Sequence, residues 1–302
     1  VLSISSKGLK MEWLSSCIGQ NSVMMTSFVR QWAAVSEFYK NIYKKPSLIA
    51  GPCVWEGYSH AEAIAEKLLA VCGKHDVNFI YKTSFDKANR SSLKGFRGAE
   101  NAIEGFRELK KKFNLEILTD VHESHQPGEL DVVDIFQIPA FLCRQTDLLK
   151  AAAQTGKPVN VKKGQFLSPQ EMGNVKEKLI SFGCDQIILT ERGTTFGYNN
   201  LVVDFRSIPI LKTFGWPVAI DATHSVQMPG KQGDQSGGDR SFAKYMMRCG
   251  MVCGADVVFA EVHNDPDNAP SDGPNMLHLD TFEDFVKEIR KWFDASLDQM
   301  VN

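Results

Sequence analysis

VNVKKGQFLSPQEMGNVKEKLISFGCDQIILTER, Val159 to Arg192, is the stretch that decides the fold. It opens on an apolar run, Val159 to Val161, and passes two lysines and a polar loop. Met172, Val175 and Leu179 then stand at helical spacing, and a second apolar run, Ile187 to Leu189, leads to Glu191 and Arg192. Apolar residues three and four apart line one face of a helix, whereas a short unbroken apolar run suits a strand buried on both faces of a parallel sheet.

The same rhythm extends in both directions. Apolar runs recur at Ser47 to Ala50, Phe79 to Tyr81, Ile117 to Thr119, Val133 to Phe136, Val218 to Ile220 and Val257 to Ala260. Between most of them lie helical patterns: Ile64, Leu68 and Val71; Phe106, Leu109 and Phe113; and, at the end, Phe282, Phe285, Ile289 and Trp292. Strands alternating with amphipathic helices define an α/β chain, and eight such strands close most economically as a (β/α)₈ TIM barrel. A doubly wound open sheet is the alternative.

Composition fits one catalytic domain. The chain has 302 residues, 43% hydrophobic and 23% charged, and about 250 residues is typical of one barrel. A net charge of −2 and the lack of a long basic cluster point away from nucleic acid and membrane surfaces. No stretch approaches the roughly 20 apolar residues that span a bilayer. Seven cysteines without a framework spacing favour a reducing, cytoplasmic setting. Cys249 and Cys253 share a helix face and read as small buried apolar residues.

Residues 1–46 read as an N-terminal extension and 47–302 as a single barrel. The chain opens on Val rather than Met, which leaves open that part of the extension was added artificially. Phe28, Trp32, Val35 and Tyr39 would form one helix face covering the lower mouth of the barrel. Arg30 interrupts the only run resembling a signal-peptide core, so secretion is not expected.

Each strand delivers polar residues at its carboxyl end, the rim where such barrels place their chemistry. Lys82 leads to Lys87-Ala88-Asn89-Arg90-Ser91-Ser92; Asp120 and His122 follow the third strand; Gln137 and then Arg144 the fourth; Lys162 and Lys163 the fifth; Arg192 the sixth. Arginine matches phosphate oxygens as a fork, and Asn and Ser add directional donors, so the cations predict an anion site with room for two anionic groups. Cys53, His224, Glu261 and Asp272 reach the same rim and form a mixed set suited to Zn²⁺, Fe²⁺ or Mn²⁺. Each also has a plainer reading: Cys53 as a core thiol, His224 as a catalytic base, Glu261 as partner to a site lysine, Asp272 as a turn residue before Gly273-Pro274.

These segments resemble a known family. LIAGPC (Leu48 to Cys53), KTSFDKANRSS (Lys82 to Ser92), TDVHE (Thr119 to Glu123), QIPAFLCRQTDLL (Gln137 to Leu149), NVKKGQF (Asn160 to Phe166), ERGTTFGYNNLVVDFRS (Glu191 to Ser207), DATHSVQ (Asp221 to Gln227) and SDGPNML (Ser271 to Leu277) are similar to the 3-deoxy-D-manno-octulosonate 8-phosphate synthases. The resemblance covers about Pro46 to Phe293. It implies a (β/α)₈ barrel, commonly a homotetramer, that condenses phosphoenolpyruvate with D-arabinose 5-phosphate in lipopolysaccharide or cell-wall sugar biosynthesis. Related synthases that use erythrose 4-phosphate carry a KPRTSP-like segment where this chain has KANRSS, so Asn89 points to arabinose 5-phosphate. A metal-dependent phosphosugar aldolase is the further alternative.

The resemblance implies that Lys87, Lys162 and Arg192 hold phosphoenolpyruvate with Gln137 nearby, and that Lys82 belongs to the same site. Asn89, Arg90 and Ser91 would take the sugar phosphate, with Arg144 reaching over from a neighbouring subunit, while Asp120 and His122 face sugar hydroxyls. His224, Lys87, Lys162 and Asp272 would be catalytic. A metal-independent class has Asn in place of Cys53 and usually Cys in place of Ser271, so the resemblance implies a divalent metal on Cys53, His224, Glu261 and Asp272. Two departures stand out: Trp55 replaces a small aliphatic residue, and Phe96-Arg97-Gly98-Ala99-Glu100 lacks the second Gly of FRGxG.

Overall fold

Eight parallel strands close into a ring: β1 (Ser47–Gly51), β2 (Asn78–Lys82), β3 (Ile117–Asp120), β4 (Ile135–Ile138), β5 (Val159–Lys162), β6 (Ile187–Glu191), β7 (Val218–Asp221) and β8 (Val257–His263). Closure is by β8 pairing back onto β1, from Ser47 opposite Val257 to Gly51 opposite Glu261. The computed structural model describes residues 36–88, 96–229 and 237–300. Asn89, Arg90 and Ser91 lie outside the described residues, as do Phe28, Trp32 and Val35.

A short helix, α1 (Glu37–Asn41), precedes the barrel, and each strand is followed by a helix: α2 (Tyr58–Lys74), α3 (Ala102–Phe113), α4 (Gln126–Glu129), α5 (Thr146–Gln154), α6 (Met172–Ser181), α7 (Ser207–Lys212), α8 (Ala243–Val252) and α9 (Phe282–Met300). The apolar faces expected for α2, α3, α6 and α9 are the ones packed on the barrel. Strand side chains alternate between two cores. Ile49, Ile80, Leu118, Ile135, Ile188, Ala219 and Phe259 fill the ring, while Leu48, Tyr81, Phe136, Val161, Leu189, Ile220 and Ala260 pack outward against helices. Two residues beyond the inward apolar positions come Lys82, Asp120, Gln137, Asp221 and Glu261, so period two carries them to the same inner face one layer higher. The ring is apolar below and ionic above.

The lower mouth is plugged by Phe38 of α1 and Ile42 just after it, which join the inner core, with Tyr39 packed alongside. Glu116 anchors this helix by accepting from the backbone N–H of Glu37 (3.0 Å) and Phe38 (2.6 Å). β4 begins two residues later than the apolar run suggests. The Asp134 N–H still donates to the Ile117 carbonyl at 2.9 Å, but its side chain accepts from the Ile117 N–H at 2.8 Å and from Lys110 at 2.7 Å, so a side-chain bond takes the place of a further backbone bond at the start of that run. Cys249 is exposed and Cys253 half-buried, against the expectation of buried thiols. The buried side of α8 is supplied by Ala243, Met247, Gly250 and Met251.

The two departures from the family pattern meet in space. Trp55 is fully buried, its ring edge-on to Phe106 with centroids 5.4 Å apart. Its indole N–H donates to the Glu100 carbonyl at 3.3 Å, and the Ala99 N–H donates to the Trp55 carbonyl at 2.8 Å. Gly105 makes the space: a Cβ there would stand 2.2 Å from the indole. The large residue and the altered loop therefore brace one another.

Candidate active site

At the carboxyl ends of the strands lies a cavity of about 450 Å³, lined by Lys82, Lys87, Asp120, Gln137, Lys162, Arg192, His224, Glu261 and Asp272 together with Gln165, Asn199 and Gln227. Lys82, Asp120, Gln137, Lys162 and Glu261 stand on the strands, and the βα loops deliver the rest.

On one wall, ligand-type atoms of Cys53, Glu261 and Asp272 all lie within 4.8 Å of one another, and all three residues are buried. The Cys53 thiol donates to Asp272 Oδ2 at 3.1 Å. Asp272 adopts a left-handed conformation (φ 55°) that Asp tolerates, at the entry to the turn Gly273–Asn275. Glu261 is both a potential ligand and the partner of a site lysine. Its Oε1 accepts from Lys82 at 2.6 Å, while its buried Oε2 has no hydrogen-bond partner among the described residues. Burial pushes the Glu261 carboxyl up, but Lys82, with His224 and Lys87 adding to it, holds it down to about 2. Lys82 is itself spent on Glu261 and on the Cys53 carbonyl (3.1 Å); burial draws its ammonium down, but Glu261, with Cys53 and Asp120 adding to it, raises it above the usual range.

His224 stands beside this group. Its Nε2 is 3.7 Å from Glu261 Oε2, and its Nδ1 is 2.8 Å from Asp221 Oδ2. The Asp221 contact places the ring hydrogen on Nδ1 and leaves the Nε2 lone pair toward Glu261, the arrangement that metal-binding imidazoles adopt. Asp221 also accepts from Lys162 (2.5 Å) and from the His224 N–H (2.8 Å). Although burial opposes it, His224 and Lys162 beside it keep the Asp221 carboxyl far below the ordinary range. A thiol, two carboxylates and an oriented imidazole around an unpaired carboxylate oxygen fit a borderline divalent ion.

The other wall is cationic. Lys162 sits with its ammonium 3.5 Å from the centroid of the Phe259 ring, and burial draws it below its ordinary range while Asp221 resists. Arg192 donates Nη2 to Gln227 Oε1 at 2.9 Å, whereas its buried Nε and Nη1 find no acceptor among the described residues. Lys87 is buried and lines the cavity. Asp120, whose Oδ2 is 3.2 Å from His122 Nε2, and Gln137 line the same cavity. Asp120 Oδ1, Gln137 Oε1 and Gln165 Oε1 are further buried oxygens without hydrogen-bond partners among the described residues. Burial works against the Asp120 charge, yet Lys87, then His122, holds its carboxyl well below the usual range.

Arg144 is exposed and is not among the residues lining the cavity. Gln165, Asn199 and Gln227 carry no charge and were not singled out as site residues by the sequence. A second group that sequence reading missed joins Glu56, His60 and His263. Its hydrogen bonds argue against a three-ligand metal site: His263 Nδ1 accepts from the Asp265 N–H at 2.9 Å, which puts the hydrogen on Nε2, pointing at Glu56 Oε1 2.9 Å away. It is a carboxylate–imidazole clasp between the loop after β1 and the end of β8.

Together, the closed parallel ring and a mouth lined with unpaired donors and acceptors define a catalytic (β/α)₈ barrel that accepts anions. Residues 42–296 match the DAHP synthetase I family. Proteins named 2-dehydro-3-deoxyphosphooctonate aldolase are similar over most of their length. The one from Rickettsia canadensis is 54% identical over 248 residues, covering 81% of this chain and 90% of the relative. Those from Bartonella henselae (51% over 249 residues, 82% and 89%) and Granulibacter bethesdensis (50% over 248 residues, 81% and 88%) match equally broadly. The chain belongs to the DAHP synthetase I family and, within it, to the 2-dehydro-3-deoxyphosphooctonate aldolases, also called 3-deoxy-D-manno-octulosonate 8-phosphate synthases.

Proposed function

We propose that the protein condenses phosphoenolpyruvate with D-arabinose 5-phosphate to give 3-deoxy-D-manno-octulosonate 8-phosphate and inorganic phosphate, as a step in lipopolysaccharide or cell-wall sugar biosynthesis. The observation that carries this reading is the set of buried polar atoms without partners among the described residues around one cavity: cationic edges of Arg192 together with oxygens of Asp120 and Gln137. Buried polar groups are nearly always satisfied, so these await a ligand that is anionic at one end and rich in hydroxyls at the other.

In the reaction C3 of phosphoenolpyruvate bonds to the aldehyde carbon of the open-chain sugar, water adds at C2, and the C2–O bond to phosphate breaks. Arg192, Lys162 and Lys87 hold the carboxylate and phosphate of phosphoenolpyruvate. Asp120, His122 and Gln137 orient the sugar, and Asn89, Arg90 and Ser91 bind its phosphate. Fixing two anions that would otherwise repel supplies proximity, and the cations offset negative charge developing on the aldehyde oxygen. His224, held by Asp221, and Asp272 exchange protons with the reacting oxygens. Cys53, His224, Glu261 and Asp272 are the residues that would hold a divalent Zn, Fe or Mn ion, whose chemistry when bound is to polarise an oxygen ligand. Arg144, outside its own cavity, would complete a neighbour's sugar-phosphate site in a homotetramer. Residues 47–302 would form the catalytic unit behind an N-terminal extension, and free thiols suit the cytoplasm. No described helix is long and apolar enough to cross a membrane.

Phosphate release in a mixture of the two substrates tests the reading. Arabinose 5-phosphate should give a far higher kcat/KM than erythrose 4-phosphate. Equal or reversed preference would remove the discriminating role of Asn89, and product without phosphate release would favour a plain aldolase.

A further inference from the structure

Gln227 lies between the two walls of the cavity and touches both. Its Oε1 accepts from Arg192 Nη2 at 2.9 Å, and its Nε2 donates to Asp272 Oδ1 at 3.1 Å. Chemistry fixes this amide orientation, because a guanidinium only donates and a carboxylate only accepts. The side chain is buried. Its backbone pairs antiparallel with Gly238, where an added Cβ would stand 1.6 Å from Asn275 Oδ1 in the turn that Asp272 opens. Glycine at 238 thus lets the Gln227 strand close directly onto the Asp272 turn.

We infer that Gln227 is a positioning residue that couples occupancy of the anion site at Arg192 to occupancy of the cation site at Cys53, Glu261 and Asp272. This rests on the function proposed above. The bond to Gln227 holds the Nη2 edge of Arg192, so Nε and Nη1 remain for the anion. At the other end, Gln227 holds Asp272 Oδ1, while Oδ2 lies against Cys53. A cation that draws on Asp272 alters the acceptor seen by the Gln227 amide, and hence the acceptor seen by Arg192. An anion on Arg192 acts back through the same two bonds, and linkage requires the two effects to be equal. Neither residue type nor charge pattern points to Gln227, since its oxygen and one amide hydrogen are already committed within the protein.

The test is equilibrium binding in place of turnover. Mn²⁺ affinity is read from the free-ion electron paramagnetic resonance signal with and without inorganic phosphate, and phosphate affinity by calorimetry with and without Mn²⁺. In the wild-type protein each ligand should tighten the other by about fivefold or more. Gln227→Leu, which removes both bonds at similar volume, should still bind each ligand alone, with the coupling factor reduced to about one. Gln227→Glu keeps the Arg192 contact but faces Asp272 with a second carboxylate, so phosphate should weaken in the absence of Mn²⁺ and recover less when it is added. Circular dichroism checks folding, and Gln227→Met replaces the Leu variant if that one does not fold. A wild-type protein that binds both ligands independently, or a Leu or Met variant that keeps the wild-type coupling factor, overturns the inference and leaves the proposed function standing. A wild-type protein that binds neither ligand overturns the proposed site as well.

Discussion

Nδ1 of His224 lies 2.8 Å from Asp221 Oδ2, and this contact sets which imidazole nitrogen faces Glu261. Asp221 is fully buried on β7, three residues before the histidine it orients. Asp221→Asn can accept through one oxygen only and carries no charge, so the opposite tautomer becomes competitive. Mn²⁺ or Zn²⁺ affinity should fall by about 10- to 100-fold, and kcat should fall with it. Unchanged metal affinity in a folded Asn variant would reduce Asp221 to a partner of Lys162.

Lys82 and Glu261 make a fully buried ion pair at 2.6 Å. The Glu261 carboxyl is depressed from 4.5 to about 2, so its favourable contribution to folding is complete above pH 4.5 and disappears as pH falls through about 2. Lys82→Met leaves a buried carboxylate without its main cation, which should cost about 3–5 kcal/mol at pH 7 by denaturant unfolding. In the variant that carboxyl protonates more readily, so the cost should shrink between pH 7 and pH 4. A cost independent of pH over that interval would show that Lys82 acts through packing alone.

Much of this was legible in the sequence. Unbroken apolar runs such as Ile187 to Leu189, alternating with helical patterns, suit strands covered on both sides, and the inward positions two residues on carry Asp120, Asp221 and Glu261 to one rim. β4 was misplaced because an apolar run does not show that Asp134 turns its side chain to Ile117 and Lys110. The plug came from Phe38 in a five-residue helix and Ile42 just after it, a segment too short to show a period. Gln227 escaped notice because an amide acts only through where its two ends point, and composition is silent on that.

Trp55 and Ala99-Glu100 depart from the family pattern together, and the packing explains why. Trp55→Ala should cost about 3–5 kcal/mol of stability, measured by urea unfolding, with the loss of the Glu100 contact adding to the cavity. Gly105→Ala should be similarly damaging, because its Cβ would overlap the indole. Gly105→Ala in the Trp55→Ala background should recover most of its own cost. If the double variant is simply additive, the two positions are not coupled.

Arg144 is exposed on the loop after β4, away from the residues that line its own cavity. If it serves a neighbour, Arg144→Ala should raise KM for the sugar phosphate and leave KM for phosphoenolpyruvate nearly unchanged. Mixing Arg144→Ala with a variant inactive in its own cavity, such as Lys162→Met, should restore activity in mixed oligomers. Sedimentation of a fully active monomer at assay concentration would exclude the shared site.

The ligand set is tested through its softest member. Thiolate, imidazole and carboxylates bind a divalent ion only when deprotonated, so a strong chelator at neutral pH should abolish turnover, and Mn²⁺, Zn²⁺ or Fe²⁺ should restore it. Cys53→Ala should lose most metal affinity. Cys53→Asn is the sharper substitution, since Asn reaches Asp272 through an amide hydrogen and leaves His224, Glu261 and Asp272 in place. With Lys82 still paired to Glu261, the cluster keeps a cation of its own. The Asn variant should therefore fold normally and keep partial activity that a chelator no longer removes, provided the ion chiefly orients groups that the lysines also position. A nearly inactive variant, or one that stays chelator-sensitive through its three remaining ligands, would assign the ion an essential electrophilic role. Wild-type protein purified without metal, fully active in chelator and indifferent to added ions would reduce Cys53 to a buried thiol hydrogen-bonded to Asp272.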